Sequence, residues 1–482
     1  MSIIIPANSA TSGGFEVANS LRFNTGSSDS LTRTQSASPT SATKGTLSFW
    51  IKRSLLGTAQ YFMSTFQDSN NRVQSEFQAN DTLRIIQKNS SSTTINIITN
   101  RVFRDSSSWY HVVLAFDTDQ GTDSNRVKLY INGVQETSFS TASYPSSGID
   151  SFLTKGTSAS LGAYNGTGDY SSAYFSEIVL IDGQQLAPTS FGEFDEDSGT
   201  WKPIDVSGLT FGTNGYYLDF EDSSALGNDA AGSNNFTVNN LTALDQVTDT
   251  CTNNFAVANN NDNFFANAVF AEGNIKVTTN STAEAMSTGT IALSAGRWYY
   301  EIDIIDRGST AQVGFTPHGS RVMSGISGKA GDVTPFCQAY LNTGKVQTGD
   351  GSGGQTDLAT LSSYTTGNII GVYLDLVDFK SYWSKDGVLQ NSGTGLNITA
   401  LNANSHDTSG GTGVYIPFVG DYNSGGAAVF EFNFGNPFQS QSSSVTDDNG
   451  FGKFEYSPNI TGDGTAKSFF AICTKNLAAT GG

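Results

Sequence analysis

The chain has 482 residues, including 52 glycines, and its 44 acidic against 25 basic side chains give a net charge of −19. A surface of this sign repels phosphate backbones and anionic lipid headgroups, so neither nucleic acid nor membrane insertion is expected. The chain is longer than one ordinary domain, so two or three domains are expected. Aromatic residues make up 11% of it, which is enough to build hydrophobic cores and is not typical of a disordered chain.

Residues 1–18 are interpreted as a short polar N-terminal arm, and a first domain is expected over 19–195. In that domain, apolar and polar residues alternate with period two in stretches such as LSFWIKRS and WYHVVLAF, each bounded by turn residues. Asn132 and Gly133 form a strong hairpin signal within RVKLYINGVQ. Many short strands at this spacing are typical of a β-sandwich or jelly roll.

A connector rich in Asn, Gly and Asp is expected over 196–269. Its local propensity favours turns and irregular structure. Four apolar anchors within it, Trp201, Tyr216, Leu218 and Phe220, indicate that this connector is packed down and not floppy.

A second series of strands is expected over 270–437, with a hairpin tip at Asp386-Gly387. The C-terminal tail, 438–482, is polar until KFEYSPN and KSFFAICTKNL, which are expected to dock back as strands. The fold class is therefore all-β, with two β-sandwiches joined by the irregular connector.

The three cysteines, Cys251, Cys337 and Cys473, lie far apart and lack CxxC spacing, so neither a disulfide framework nor a zinc site is expected. They are interpreted as reduced, buried small hydrophobes. The N-terminus has no basic region ahead of its short apolar run, which predicts no signal peptide. No stretch approaches the length of about 18 apolar residues that a membrane helix needs.

Several of these stretches resemble known families. LSFWIKRS, SWYHVVLAFDT, RVKLYINGV and SEIVLIDGQQLAPTSFGEFD resemble a laminin-G-like, concanavalin-type lectin sandwich. GRWYYEIDI, VGFTP, NIIGVYLDL and SYWSKDGV resemble a SPRY domain, another two-sheet sandwich. The joining segment from NGYYLDFEDSS to CTNNFA is similar to a connector found in tailed-phage structural proteins, especially marine ones.

The resemblance implies two concanavalin-like or jelly-roll sandwiches in a virion protein, on a tail fibre or other surface appendage. It implies synthesis in the host cytoplasm without a signal peptide, and partners among other virion proteins and host-surface glycans or proteins. A homo-oligomer is expected, with a trimer favoured, and no cofactor apart from possible calcium. The alternative is a purely architectural decoration or connector protein, and a third reading is a polysaccharide depolymerase.

The stretch EIDIID raises the depolymerase question, because it resembles the E-x-D-x-x-E signature of laminarinase-type glycosidases. Retaining chemistry needs two carboxyls about 5–5.5 Å apart. Here Glu301 and Asp306 are five residues apart, so only a bulge would put them on one face of a strand. The simpler interpretation places Tyr300, Ile302 and Ile304 in the core and turns Glu301 and Asp303 to solvent.

No other catalytic constellation stands out, so no enzyme activity is expected. The histidines are His111, His318 and His406. His111 lies in the middle of a predicted strand, and it is expected to be an edge or core residue whose hydrogen bonds are all made within the fold. The sequence has no G-x-S-x-G elbow, H-E-x-x-H motif or phosphate-cradling loop.

Two loops carry candidate binding residues. DTDQGTD offers Asp117, Asp119 and Asp123 as oxygen ligands for calcium, with an acidic hairpin loop as the plain alternative. GAYNGTGDYSSAY combines Tyr164, Asn165, Asp169 and Tyr170 in a glycine-rich loop. Aromatic faces stack on sugars while Asn and Asp hold the hydroxyls, so this loop is the preferred glycan contact, against a plain surface loop.

Overall fold

The structure is a computed structural model that describes residues 14–36, 38–265, 268–317, 337–349, 355–398, 413–422 and 425–480, with 263–265, 349 and 480 by backbone only. Most of the predicted N-terminal arm therefore lies outside the described residues. The chain divides into two compact units, and the boundary lies between Asn253 and Asn254. None of the described helices has the length and apolar character needed to span a membrane.

The described part of the first unit is built almost wholly from antiparallel strands. These are β1 (Ser20–Phe23), β2 (Ser30–Thr34), β3 (Lys44–Arg53), β4 (Gln60–Asp68), β5 (Asn71–Phe77), β6 (Thr82–Asn89), β7 (Ser92–Val102), β8 (Tyr110–Asp117), β9 (Val127–Ile131), β10 (Val134–Gln135), β11 (Phe139–Ser143), β12 (Ser158–Leu161), β13 (Ala173–Asp182), β14 (Gly192–Phe194), β15 (Trp201–Pro203), β16 (Tyr216–Leu218), β17 (Thr237–Asn239) and β18 (Gln246–Val247). The helical pieces are α1 (Phe152–Lys155) and 3-10 turns at Thr25–Ser27, Asp123–Asn125, Pro188–Ser190 and Ala243–Asp245.

Two large sheets form the first sandwich. The β13 sheet has the order β10-β9-β8-β3-β13-β1-β18, with β16 also paired to β13. The β4 sheet has the order β11-β7-β6-β5-β4-β12-β2-β17. Alternate side chains of both sheets meet between them in one buried core, which includes Leu21, Phe49, Ile51, Leu114 and Phe175 from the first sheet and Leu31, Phe62, Val73, Ile85 and Ile97 from the second.

The segment 196–253 packs onto this first sandwich. Its strand β16 extends the β13 sheet by pairing Leu218 with Ile178. All four predicted anchors are buried, as the sequence indicates: they are Trp201, Tyr216, Leu218 and Phe220. The remainder of the predicted connector, from Asn254, belongs to the second unit. The outer face of the β13 sheet is thereby covered, because Val113, Val179 and Ile181 pack against Phe191, Val206 and Tyr217.

The second unit contains the strands β19 (Ala258–Phe265), β20 (Val269–Ala271), β21 (Lys276–Thr278), β22 (Ala285–Gly289), β23 (Arg297–Asp306), β24 (Ala311–Pro317), β25 (Gln338–Leu341), β26 (Lys345–Gly349), β27 (Gln355–Thr360), β28 (Ile369–Asp375), β29 (Lys380–Lys385), β30 (Val388–Leu389), β31 (Leu396–Asn397), β32 (Tyr415–Asp421), β33 (Val429–Asn433), β34 (Asn459–Gly462), β35 (Thr465–Ser468) and β36 (Phe470–Ala471). Its helical pieces among the described residues are α2 (Thr474–Thr480) and 3-10 turns at Glu272–Asn274 and Asn391–Gly393.

These strands form a second sandwich. The β24 sheet has the order β19-β22-β32-β24-β25-β26-β27, and the β23 sheet has the order β20-β21-β33-β23-β28-β29-β30. Strand β31 pairs with β29, and β36 runs parallel to β23. The all-β, two-sandwich fold class is confirmed.

The C-terminal segment, 438–480, covers the outer face of the β23 sheet. Phe454, Phe469 and Cys473 pack there against Tyr299 and Tyr373. The prediction that KSFFAICTKNL is a strand throughout was wrong, because 474–480 form α2. Its Ala, Leu and Lys residues are strong helix formers, and they outweigh the apolar run that precedes them.

The predictions for the two hairpin turns and for the cysteines agree with the structure. The hairpin tips at Asn132-Gly133 and Asp386-Gly387 are confirmed, and all four residues have a left-handed φ between 49° and 77°. This is the backbone that a two-residue hairpin turn needs. The three cysteines are free, two of them buried and Cys251 half-buried.

Gly133 provides a test of how the segment around Trp201 packs. A Cβ at Gly133 would lie 2.3 Å from Cε3 of Trp201, whereas one at Gly148 would meet nothing within 4 Å, and both glycines have left-handed φ. We expect Gly148→Ala to lower the free energy of unfolding by about 1–2 kcal/mol and Gly133→Ala by about 3–5 kcal/mol. Urea unfolding of both variants checks this, and equal losses would contradict the packing of Trp201 over the hairpin.

Candidate functional site

The 162–171 loop joins β12 to β13 and is fixed by its own backbone. Tyr164 N–H donates to Gly168 O at 2.7 Å, and Thr167 N–H donates back to Tyr164 O at 3.0 Å. Ser171 N–H closes the base of the loop on Gly162 O at 2.8 Å. Such hydrogen bonds leave few alternative shapes, so the loop is ordered before any ligand arrives.

Backbone conformation also marks this loop. Asn165 and Asp169 are non-glycine residues with left-handed φ values of 48° and 45°. A Cβ added at Gly162 would lie 2.4 Å from the Phe23 ring, so only glycine fits that corner. Asn and Asp adopt left-handed φ more readily than other non-glycine residues, so the loop can turn tightly at both positions.

Aromatic packing attaches the loop to the outer face of the β4 sheet. The ring of Tyr164 meets the ring of Tyr61 at 5.0 Å and that of Phe66 at 5.2 Å, both edge to face. Asn165 N–H donates to Ser64 Oγ on the same strand at 2.9 Å. Tyr164 is thus held rigidly while remaining half-exposed.

The predicted polar residues of the loop point to solvent. Asn165 and Asp169 are exposed, and Tyr170 is half-buried. Among the described residues, neither the Asn165 amide nor the Asp169 carboxylate has a side-chain hydrogen bond or ion pair. The four predicted residues therefore lie together on one short loop, with the amide and the carboxylate exposed and the two tyrosines partly exposed.

A row of polar residues on the adjacent strands extends this surface, and it was not predicted from the sequence. Tyr61 donates a hydrogen bond to Glu76, Glu76 lies 3.3 Å from Arg84, and Arg84 donates to Asn96 at 3.2 Å. These residues share the outer face of β4, β5, β6 and β7. Only the cross-strand register joins them, because they are distant in the sequence.

The three predicted calcium ligands are not assembled into a metal site. Lys44 Nζ lies 3.5 Å from Asp117 and 3.6 Å from Asp119, and Thr43 Oγ1 donates to Asp119 at 3.0 Å. Asp123 begins a separate 3-10 turn. Within the described part of the chain, no group of three or more His, Cys, Asp or Glu is arranged to hold a metal ion. Calcium here stays a prediction from sequence, and Lys44 already forms ion pairs with two of the three carboxylates.

His111 is a core residue, as predicted. Trp201 Nε1–H donates to its Nδ1 at 2.9 Å, which places the ring proton on Nε2, and Nε2 lies 2.8 Å from Ser48 Oγ. Complete burial lowers the pKa of His111 to about 3. A histidine that is neutral and doubly hydrogen-bonded has a structural role. His318 and His406 lie outside the described residues.

The EIDIID strand is partly as expected. Tyr300, Ile302 and Ile304 are buried in the core of the second sandwich. The prediction that Glu301 and Asp303 face solvent was wrong: Glu301 is 0% exposed and Asp303 is half-buried. The alternation itself is correct, but the C-terminal segment covers the face that would otherwise meet water.

Glu301 anchors that covering segment. Its carboxylate accepts four hydrogen bonds, from Tyr299 Oη at 2.9 Å, Asn433 Nδ2 at 2.8 Å, Glu455 N at 2.9 Å and Tyr456 N at 2.7 Å. Burial raises the pKa of Glu301 to about 7, against these hydrogen bonds, which favour the charged form. Both carboxylate oxygens of Glu301 are therefore occupied by hydrogen bonds within the fold.

The carboxylate pair weighed for glycoside cleavage is not accessible as a pair. The register of β23 against β33 does shift between Ile304 and Asp306, so the required bulge is present. However, Asp306 is exposed, whereas the Glu301 carboxylate is closed off from solvent. A sugar ring positioned between them would have to displace the C-terminal segment.

A second concave surface lies at the open edge of the first sandwich, where the chain crosses from β10 of one sheet to β11 of the other. This cleft has a volume of about 380 Å³, within the range of small-ligand sites. Val127 and Leu129 form its floor, and Phe139, Tyr144 and Gln135 stand around it. Its position was not expected from the sequence.

Comparison with known proteins identifies the first sandwich. Residues 24–184 match a family model described as the concanavalin A-like lectin/glucanases superfamily, of laminin G type. This range includes β2 to β13 and the 162–171 loop. The first sandwich is therefore a laminin-G-like, concanavalin-like domain, as the resemblance implied. The comparison with curated proteins gave no match.

Solved structures give weaker likenesses. The SPRY domain of human HERC1 is 15% identical, with 36% of this chain and 96% of that chain covered and a TM-score of 0.28. A putative carbohydrate binding protein from Bacteroides ovatus is 15% identical, with 47% and 59% covered and a TM-score of 0.34. A heptameric SAP-like pentraxin from Limulus polyphemus is 19% identical, with 36% and 80% covered and a TM-score of 0.28. Because these scores lie below 0.5, none supports a statement about function.

The half-buried Asp303 provides a pH test of the second sandwich. Burial first, then the carboxylates of Glu301, Glu431 and Glu455, raise its pKa from 3.8 to about 7. A raised carboxyl pKa stabilises the fold only while the group is protonated, so this contribution is lost as the pH rises through about 7.

We therefore expect the free energy of unfolding of Asp303→Asn to match the wild type near about pH 4 and to exceed it by about 1–3 kcal/mol near about pH 8. Urea unfolding across that range measures the difference. The exposed Asp306→Asn, on the same strand, is the control for the removal of one carboxylate. If the difference in unfolding free energy between Asp303→Asn and the wild type does not change with pH, the raised pKa of Asp303 is contradicted.

Proposed function

We propose that this chain is a non-enzymatic glycan-binding protein on the surface of a tailed-phage virion, as a tail fibre or other appendage subunit. The observation that carries the binding function is the rigid 162–171 loop on a concanavalin-like sandwich, with Asn165 and Asp169 exposed beside Tyr164 and Tyr170. The virion role is supported by the sequence resemblance of the connector to tailed-phage structural proteins.

The loop chemistry matches a sugar better than an ionic ligand. A sugar offers one apolar face to an aromatic ring, while its hydroxyls both donate and accept hydrogen bonds. Tyr164 and Tyr170 supply rings, the Asn165 amide donates and accepts, and the Asp169 carboxylate accepts. Because the loop is already ordered, little conformational entropy is lost when a ligand binds.

Binding without cleavage is proposed because the carboxylate weighed for catalysis is engaged elsewhere. Glu301 is fully buried and saturated by four donors. The partners proposed are other virion proteins and a host-surface glycan, in a homo-oligomer with a trimer favoured. A purely architectural role is the competing proposal, and it predicts no sugar affinity.

Glycine substitutions test the loop without straining it. Asn165→Gly and Asp169→Gly remove the side chains, yet glycine adopts left-handed φ readily. We expect each change to weaken binding to the host envelope polysaccharide about tenfold, equivalent to about 1.4 kcal/mol, because a hydrogen bond is lost. Biolayer interferometry on immobilised polysaccharide measures the affinity.

The matched control is Ser91→Gly, another exposed left-handed position in the same sandwich, at a hairpin tip. Its affinity should equal that of the wild type. No measurable binding of the wild type to any host envelope fraction would favour the architectural alternative. Equal binding by all variants would show that another surface holds the glycan.

The virion role has its own test. Antibodies against the purified chain, visualised on phage particles by immunogold electron microscopy, should label a distal appendage. Label confined to the capsid shell or to an internal shaft joint would contradict host attachment and support the architectural alternative.

A further inference from the structure

A buried amine and a buried carboxylate are in direct contact in the first unit. Lys52 Nζ lies 2.8 Å from Asp249 Oδ2, and both side chains are at most 1% exposed. Lys52 belongs to the central strand β3, whereas Asp249 follows β18, almost two hundred residues later in the chain. Isolating an ion pair from water in this way is unfavourable unless its geometry is very good.

The surroundings polarise the carboxyl group and exclude water. Trp109 Nε1–H donates to the other carboxylate oxygen, Oδ1 of Asp249, at 3.2 Å. The Tyr174 ring lies 5.6 Å from Lys52 Nζ. Trp50, Trp109 and Tyr174 belong to one buried apolar cluster, together with Trp201 and Val247. Attack by the amine requires that one ammonium proton pass to the carboxylate, and the 2.8 Å contact between Lys52 Nζ and Asp249 Oδ2 provides a direct path for that proton.

We propose that Lys52 and Asp249 condense into an intramolecular isopeptide bond that joins β3 covalently to the end of the first unit. Nζ of Lys52 attacks Cγ of Asp249, a C–N bond forms, and the bond from Cγ to Oδ2 breaks. Of the three ammonium protons, one stays on the amide nitrogen and two leave with Oδ2 as water. No oxidant, reductant or further reactant is needed.

Two features of the site favour this step. The hydrogen bond from Trp109 lies on Oδ1, the oxygen that carries negative charge in the tetrahedral intermediate. The water that is released leaves a site closed to solvent, which disfavours hydrolysis of the new amide.

Contact alone does not distinguish this pair. Lys155 Nζ also touches the carboxylate of Asp150, but those side chains are 37% and 35% exposed. Water solvates that ammonium and carboxylate in their charged forms, in which the nitrogen has no lone pair for attack. The Lys155–Asp150 pair is therefore a matched comparison of equal chemistry and opposite burial.

The bond would serve the covering segment described above. The segment 196–253 packs on the outer face of the β13 sheet, and a link at Asp249 would keep the end of this segment attached to β3. This inference does not rest on glycan binding, and either proposal can fail without the other.

Mass spectrometry of the full purified chain tests the bond. Relative to Lys52→Arg, which keeps the positive charge but has no nucleophilic amine at neutral pH, the wild type should be lighter by the lysine–arginine difference and by one further water. A tryptic digest should show no cleavage after Lys52 and a branched peptide containing Lys52 and Asp249. Lys155 and Asp150 should be recovered unlinked.

A wild-type mass equal to that of the sequence, with separate peptides containing Lys52 and Asp249, would overturn the proposal and leave an ordinary buried ion pair. A water loss that persists in Lys52→Arg would also overturn it, because the condensation would then lie elsewhere. The wild-type measurement decides the question even if Lys52→Arg does not fold.

Discussion

Buried carboxylates that accept backbone N–H groups hold the irregular segments of this protein onto its sandwiches. Asp182, at the end of β13, accepts hydrogen bonds from the N–H groups of Thr40, Ser41 and Asn214. In the second unit, Glu301 accepts two such bonds from the C-terminal segment. Irregular chain leaves many donors unpaired, and a carboxylate with two acceptor oxygens satisfies several of them at once.

This arrangement changes the meaning of the net charge. The net charge predicts acidic side chains at the surface, where they repel phosphate groups, and many do lie there. However, Glu301 and Asp249 are both 0% exposed. Each carboxylate connects a strand to a segment that is distant in the chain. The strands, the alternation and the hairpin tips at Asn132 and Asp386 could be predicted because their determinants are local. Many partners of the buried carboxylates could not, because they are distant in the chain, as Lys52 is from Asp249 and Tyr456 is from Glu301.

In the candidate site, too, the local features could be predicted from the sequence and the long-range contacts could not. Composition alone placed Tyr164, Asn165, Asp169 and Tyr170 in one loop, and the structure keeps them together because the loop closes on itself. Its attachment to Tyr61 could not be predicted, because that contact depends on how the loop folds over the neighbouring sheet. Calcium was predicted from the number of carboxylates in one loop. That prediction did not include Lys44, which lies on β3 and forms ion pairs with two of them.

The protein thus combines rigid sandwiches, firmly attached covering segments and one preformed loop that faces solvent. Hydrogen–deuterium exchange with and without the host polysaccharide tests this most directly. We expect slow exchange at the carboxylate-bound amides, such as those of Asn214 and Tyr456, in both states, and new protection confined to 162–171 when the polysaccharide is present. Fast exchange at those amides, or protection that appears only outside the loop, would contradict the account.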